Sequence, residues 1–495
     1  MKKKRILLLL CLLPALNYAQ ETINLQKARQ MSIEHNRKLK METLDCQSAS
    51  LQTQSAFGNF LPRFEAEAGY QRKNKPYKLF DGDKFLPVIP WQGIDPSTGN
   101  FNPAIFQDPA IAPQVLAFNP STGEVLHDAE GNPVFQNYAW LPADEGKIGR
   151  KNNYKLGFTM RQPIYMGGKI RSGYQIAQLA EEIAQEKMEK SLSEVIFRTD
   201  ELYWQVVSLK EKVELTQTYL QMLQQLVTDL ENLYAEGIIT HNQVLQARVK
   251  YNEVELLRVQ AENGLKLARM ALNQHIGLPL FNQQELKSDF EPDKLFLDDE
   301  NLTEIALKDR AELQILNNAV TIANELVKVN RADMLPSVGL MAGYNYTNPN
   351  PYNGFKDEFG GDYTVGVGIS IPIYHFGDKR RQVSSAKIER KKAQLQLEEA
   401  REMIELQVNQ SVFSVNEAHT RRELSELSLR QAKENLEITQ NLFTEGRATT
   451  RDVLEAQAHW QEAFQTSIDA RTQEMLALTQ LQKNIGQLQK NNQSQ

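Results

Sequence analysis

Leu192, Val195, Thr199, Leu202, Val206, Leu209, Val213, Thr216, Leu220, Leu223, Val227, Leu230 and Tyr234 follow one another at alternating steps of three and four residues. Eleven of the thirteen are apolar or aromatic. A hydrophobic period of 3.5 held for six heptads predicts a coiled-coil seam, because only supercoiling keeps such a stripe turned toward its partner. The stripe stops at Glu236 and Gly237. Beyond Thr240 a second one returns through Val244, Ala247, Tyr251, Val254, Ala261, Leu265, Ala268 and Leu272. Together they predict an antiparallel helical hairpin over 170–276 with its tip at Gly237.

The hairpin occurs twice. Pro163-Ile164-Tyr165 recurs as Pro372-Ile373-Tyr374, Gly168 as Gly377, Leu233 to Ala247 as Leu442 to Ala456, and Ile276-Gly277 as Ile485-Gly486, all at an offset of 209 residues. The second hairpin therefore covers 379–486 with its tip at Gly446. The segments ahead of the hairpins also pair, but Leu61-Pro62 and Gly69-Tyr70 match Leu335-Pro336 and Gly343-Tyr344 at an offset of 274. The first copy thus carries an extra 65 residues between Tyr70 and Tyr154. An internal duplication of this kind sets the architecture: one repeat over 20–277, a linker over 278–301, a second repeat over 302–486 and a polar tail over 487–495.

Around the hairpins the period changes to two. Phe64, Ala66, Ala68 and Tyr70 alternate with polar residues and glycine, as do Tyr154, Leu156, Phe158 and Met160. The second copy has Val338, Leu340, Ala342, Tyr344 and Tyr346, then Tyr363, Val365, Val367, Ile369 and Ile371. Strands are expected at about 61–71, 154–162, 337–346 and 363–371, each with one apolar and one polar face. Their lengths suit tilted strands crossing a bilayer, with tyrosines near the ends where interfacial girdles sit. Taken singly, each strand is better explained by an amphipathic hairpin on a soluble core, because the membrane-strand signal is weak per segment. The combination favours the membrane, since no third apolar layer is left to cover the sheet. Four strands cannot close a barrel, and open edges are not tolerated in lipid, so assembly is implied. A trimer supplies twelve strands.

Residues 1–19 open with Lys2, Lys3, Lys4 and Arg5, continue with an apolar run from Ile6 to Leu13, and end at Ala19. This is the pattern of a secretory signal peptide, too short to span a bilayer. Losing its four positive charges takes the formal net charge from −6 to −10, which argues against a nucleic-acid partner. Only Cys46 is left, so no internal disulfide can form and stability must come from packing and assembly. The insertion, about 72–153, is rich in proline and carries two related turns, Asp95-Pro96-Ser97-Thr98-Gly99 and Asn119-Pro120-Ser121-Thr122-Gly123. It reads as one long surface loop, either passive or, through Trp91 and Trp140, a small ordered cap or ligand surface.

Helix lengths supply an independent check. Ile170 to Glu236 is 67 residues, while Leu25–Phe57 and His241–Ile276 contribute 33 and 36. Two short helices end to end thus match one long one of roughly 100 Å, at ~1.5 Å per residue, as a tubular wall of equal staves requires.

The two repeats, the Leu-Pro and Pro-Ile-Tyr junctions at Pro62, Pro163, Pro336 and Pro372, and the glycine tips followed by Val-Leu-x-Ala at Val244 to Ala247 and Val453 to Ala456 together resemble the TolC-like outer-membrane factors. These are the exit ducts of tripartite efflux pumps and type I secretion systems in Gram-negative bacteria. The resemblance implies an α+β membrane protein. Three chains would share a twelve-stranded β-barrel in the outer membrane, continued by a coiled-coil α-barrel in the periplasm. It also implies that the tips, Tyr234, Glu236, Gly237 and Ile238 with Phe443, Glu445, Gly446 and Arg447, meet a periplasmic adaptor protein that links the duct to an inner-membrane pump. The insertion and the short tail depart from the family pattern and bear on the outer mouth and the middle belt.

Little else points to chemistry. His35, His127, His241, His275, His375, His419 and His459 show no metal-binding spacing and read as scattered surface histidines. No Ser-His-Asp arrangement or phosphate-cradling loop stands out, so neither enzymatic activity nor a cofactor or metal is expected. Asp452 and Glu455 lie at i and i+3 on one helix face just inside the second tip, and their counterparts in the first copy are Gln243 and Gln246. A solvated face accounts for such a pair. The resemblance implies instead a periplasmic gate, six carboxylates lining the entrance of a trimer. A reading from another class, a non-conducting trimeric coiled-coil surface protein, differs in projecting its helices outward.

Overall fold

The computed structural model describes residues 22–75, 77–99, 102–148, 150–288 and 301–489. The expected signal peptide, linker residues 289–300 and tail residues 490–495 lie outside the described residues. Among the described residues no helix is long and apolar enough to cross a membrane. In chain order the elements are α1 (Leu25–His35), α2 (Arg37–Phe57), β1 (Arg63–Arg72), β2 (Tyr77–Lys78), β3 (Lys84–Pro87), α3 (Ala112–Val115), β4 (Tyr138–Leu141), β5 (Lys147–Ile148) and β6 (Asn152–Tyr165). There follow α4 (Lys169–Ala235), α5 (His241–Ile276), α6 (Leu302–Asp309), α7 (Ala311–Ala332), β7 (Ser337–Asn348), β8 (Gly360–Ser370), α8 (Asp378–Thr444) and α9 (Thr450–Asn484). They form two compact units, one of helices and one holding the strands, with the chain passing between them near Gly58, Gly168, Met334 and Pro372.

In the helical unit, α4 and α8 are each 67 residues long, or roughly 100 Å at ~1.5 Å per residue. α5 runs back along α4, and α9 along α8. α1 and α2 are separated at Asn36, whose side chain accepts from the backbone N–H of Lys38 and caps α2. Most positions of the stripe that predicted the seam are buried, including Val195, Leu202, Val206, Leu223 and Leu230, but so are Ile196, Tyr203, Trp204, Val207, Leu215, Tyr219 and Leu226. The narrow two-helix seam expected from the period is therefore widened to a broad face. The reason is that α4 packs not only on α5 but also on α1, α2, α7 and α9. α8 is the opposite case, with Ile388, Leu395, Leu406, Phe413, Leu424 and Ile438 all exposed. Their separations of 7, 11, 7, 11 and 14 residues are near-whole numbers of turns, so they make one apolar stripe along the helix.

The other unit is built on an antiparallel sheet in the order β1-β6-β7-β8. Its register aligns the apolar rows: Ala66 pairs with Phe158, Phe158 with Tyr344, and Tyr344 with Tyr363. Because opposed residues share a face, the four rows merge into one apolar surface. Phe64, Phe158, Tyr363, Val365 and Ile369 are all exposed on it. The other face is polar, with Lys155 Nζ 2.6 Å from Glu67 Oε1. Strand lengths of 10, 14, 12 and 11 residues suffice to cross a bilayer at a tilt. Pro62 and Pro336 directly precede β1 and β7, and Pro372 follows β8. Pro163 lies instead inside β6, opposite Gly339, at a register shift before Tyr165. A bulge accommodates a residue with no N–H to donate.

The insertion is more ordered than one long loop. β2 pairs with β5 and β3 with β4, so that short ladders nest inside the β1–β6 ribbon, and further bridges join Leu116 to Phe135 and Phe118 to Val125. Asp83 fixes the inner ladder by accepting from Trp140 Nε1 at 3.0 Å and from the Ala143 N–H at 2.9 Å.

Candidate functional site at the helical tips

α4 ends at a glycine in the left-handed region, Gly237 with φ 75°, and α8 ends in the same way at Gly446 with φ 73°. In the first turn the N–H of Ile238 reaches the carbonyl of Leu233 at 2.9 Å, and that of Gly237 reaches Tyr234 at 2.9 Å. In the second, Arg447 reaches Leu442 at 2.8 Å and Gly446 reaches Phe443 at 2.9 Å. These paired bonds satisfy the last carbonyls of each long helix and reverse the chain within a few residues. The open space around both glycines leaves the positive φ as the reason for glycine there.

The two turns lie side by side. Leu226, Val227 and Leu230 of α4, Val244 and Ala247 of α5, and Val453 of α9 form one buried cluster, with Ile239, Phe443 and Leu454 packed against it. Around this plug the surface is mixed. Tyr234, its ring 5.1 Å from that of His241, and Ile238 are exposed apolar groups. Glu236 is exposed, as are Glu445 and Arg447, which pair at 3.4 Å. The arrangement offers a partner an apolar centre with a charged rim. The four junction prolines belong to the other unit and add nothing to the tips.

Asp452 and Glu455 are both exposed in the first turns of α9. Asp452 also has a local duty: its Oδ2 accepts from the Thr449 N–H and hydroxyl, each at 2.7 Å, while the Thr449 hydroxyl accepts from the Asp452 N–H at 3.3 Å. This reciprocal cap satisfies helix N-terminal donors. The hydrogen bonds from Thr449 hold the Asp452 carboxyl below its usual range. In the first copy Gln243 makes the equivalent bond, its Oε1 accepting from the Thr240 N–H at 3.2 Å. Glu455 has no such duty. The His459 ring lies one turn further along the helix, its Nε2 3.8 Å from Glu455 Oε1, and joins this face without any distinctive spacing in the sequence.

Sequence reasoning also missed a buried polar knot. Arg29 on α1 grips Asp200 on α4 through Nε at 2.7 Å and Nη2 at 2.5 Å, and Thr479 on α9 donates to the same carboxylate at 3.2 Å. At the residue before Asp200, the Thr199 hydroxyl lies 3.1 Å from His275 Nε2 on α5. His275 is therefore no surface histidine: burial lowers its pKa.

A family model described as outer membrane efflux protein matches residues 134–278 and 302–487. The outer membrane protein TolC of Vibrio cholerae is 24% identical over 298 residues, covering 59% of this chain and 68% of that protein. The proteases secretion protein PrtF of Dickeya chrysanthemi is 21% identical over 343 residues, covering 68% and 73%. Among solved structures, the CmeC outer membrane channel of Campylobacter jejuni superposes with a TM-score of 0.70 at 17% identity, covering 95% of this chain and 88% of that one.

Proposed function

This chain belongs to the outer membrane efflux protein family, and we propose that three copies form one exit duct through the outer membrane, carrying substrates out from the periplasm. The observation that carries this reading is the sheet: one continuous apolar face, exposed in the single chain, and two edge strands, β1 and β8, whose outer sides have no strand partner among the described residues. Lipid tolerates such a sheet only when its edges close, and three copies close it with twelve strands. The exposed apolar stripe on α8 fits the same assembly as a seam covered by a neighbouring copy. The helices lie in the periplasm. Their tips, Tyr234, Glu236, Gly237 and Ile238 with Phe443, Glu445, Gly446 and Arg447, dock a periplasmic adaptor protein and, through it, an inner-membrane pump. Asp452 and Glu455 line the gate. The chain works by transport and not by catalysis.

Similarity to a protease secretion protein favours a second cargo, proteins exported by a type I system, on the same architecture. The test is purification in detergent followed by light scattering and single-channel recording. The expected result is a trimer that conducts. A monomer that retains its β-signal in circular dichroism would sink the shared barrel, and a trimer that never conducts would leave only a surface coiled coil.

A further inference from the structure

At the loop end of the sheet, the apolar face finishes in an aromatic ladder. Ring centroids are 5.1 Å apart for Tyr70 and Tyr154, 6.2 Å for Tyr154 and Phe359, and 5.0 Å for Phe359 and Tyr346. Aromatic groups of this kind mark the boundary between hydrocarbon and headgroups. On β1 the alternation that runs Phe64, Ala66, Ala68, Tyr70 continues to Arg72 on the same face, opposite Asn152. Immediately beyond, the charged residues are all basic as far as Asp81 on one side and back to Glu145 on the other. Residues 72–78 hold Arg72, Lys73, Lys75 and Lys78, residues 147–151 hold Lys147, Arg150 and Lys151, and neither stretch has an acidic residue.

The fold brings these two stretches together. Lys78 pairs with Lys147 across the β2–β5 ladder, and the Lys73 N–H donates to the Lys151 carbonyl at 2.7 Å. Lys147 has Asp144 as a partner. Among the described residues no carboxylate forms an ion pair with Arg72, Lys75, Lys78, Arg150 or Lys151. Lys78 and Lys147 stand directly opposite each other, and like charges on neighbouring strands repel one another unless anions sit among them. A cavity of about 520 Å³ opens here, with Lys73, Arg150 and Phe355 in its lining. The second hairpin shows that its turn needs no such charge: its loop has Lys356 beside Asp357 and Glu358.

We propose that this basic collar binds the phosphate groups of anionic lipid in the outer leaflet, just above the aromatic ladder, and so sets the depth of the sheet in the membrane. The proposal rests on the reading of the sheet as membrane-spanning. Clustered Lys and Arg beside a membrane-embedded segment attract anionic lipid through both charge and hydrogen bonds to phosphate.

The experiment compares the full protein with a variant carrying R72Q, K75Q, K78Q, R150Q and K151Q. Both are reconstituted in nanodiscs of phosphatidylcholine alone or with phosphatidylglycerol added, and thermal unfolding is followed by circular dichroism. Phosphatidylglycerol is expected to raise the midpoint of the wild type by several degrees, an effect that high salt suppresses and the variant lacks. Equal rises in wild type and variant would overturn the proposal. So would an equal rise when inorganic phosphate is added to phosphatidylcholine discs, which would make the site one for free anions. A variant that keeps its lipid response but changes the ion selectivity of the pore would show that the charges face the lumen. Conductance and trimer mass of the variant, measured alongside, separate failure of the collar from failure of the duct.

Discussion

Arg29 and Asp200 are 171 residues apart in sequence, yet they make the most deeply buried ion pair among the described residues, with the Asp200 side chain fully covered. Two charges inside a helical packing pay a large desolvation cost, offset here by a two-pronged contact and by the Thr479 hydroxyl. Removing the Asp200 charge takes the carboxylate away from a buried guanidinium. Asp200→Asn should therefore destabilise the helical unit by about 3–5 kcal/mol, whereas the apolar double replacement Arg29→Met with Asp200→Leu should cost far less. Denaturant unfolding followed by helical circular dichroism checks this. If the double replacement is the more damaging of the two, the pair contributes net attraction and the argument from desolvation fails. Neither residue stands out in the sequence, because an Arg on a short polar-rich helix and an Asp beside an apolar stripe look like ordinary surface charges until topology brings them together.

At the scale of elements, what could be read in advance was what repeats. The 3.5-residue period of α4 and the two-residue period of β7 and β8 are signals carried by many residues at once, so single exceptions such as Thr199 do not erase them. The glycines at 237 and 446 mark turns for a reason local to each residue, a positive φ. The nested ladders of the insertion were not readable, since strands of two to four residues are too short to show a period. Pro163 misled because a proline normally ends a strand, and only the bulge in β6 lets it stay within one. The breadth of the buried face on α4 was invisible for another reason: two of the partners that cover it, α7 and α9, come from the second repeat, and α1 and α2 lie more than a hundred residues upstream. The nesting carries its own prediction. Lys78 and Lys147 are directly opposed in register, so replacing Leu79–Gly146 by Asn-Gly should close a tight hairpin there. Trimer mass and conductance are expected to survive. Loss of the trimer would mean that the inner ladders hold the shared barrel together.

For the whole molecule, the question is what the proposed threefold assembly would do with the acidic face of α9. Three copies would bring six carboxylates, Asp452 and Glu455 from each, to one narrow entrance, where like charges repel and multivalent cations are drawn in. Block of conductance by trivalent cations from the periplasmic side is the expected signature, and Asp452→Asn with Glu455→Gln should weaken it by tenfold or more. The double variant should remain folded, because an amide at the position of Asp452 can still accept from Thr449, as Gln243 does from Thr240. Acid separates the two residues. The hydrogen bonds from Thr449 lower the Asp452 pKa, so its carboxylate stays charged at pH values where an unperturbed aspartate, near ~3.9, is half protonated. The sign for stability follows: the cap's contribution is complete above the unfolded aspartate range and is lost only as pH falls through the lowered value. In Glu455→Gln alone, the remaining cation block should accordingly persist below pH ~3.9 and vanish on adding Asp452→Asn. If the block in that single variant disappears at the ordinary aspartate range, or if the double variant is blocked as tightly as the wild type, the carboxylates are a solvated helix face and the gate lies elsewhere along the duct.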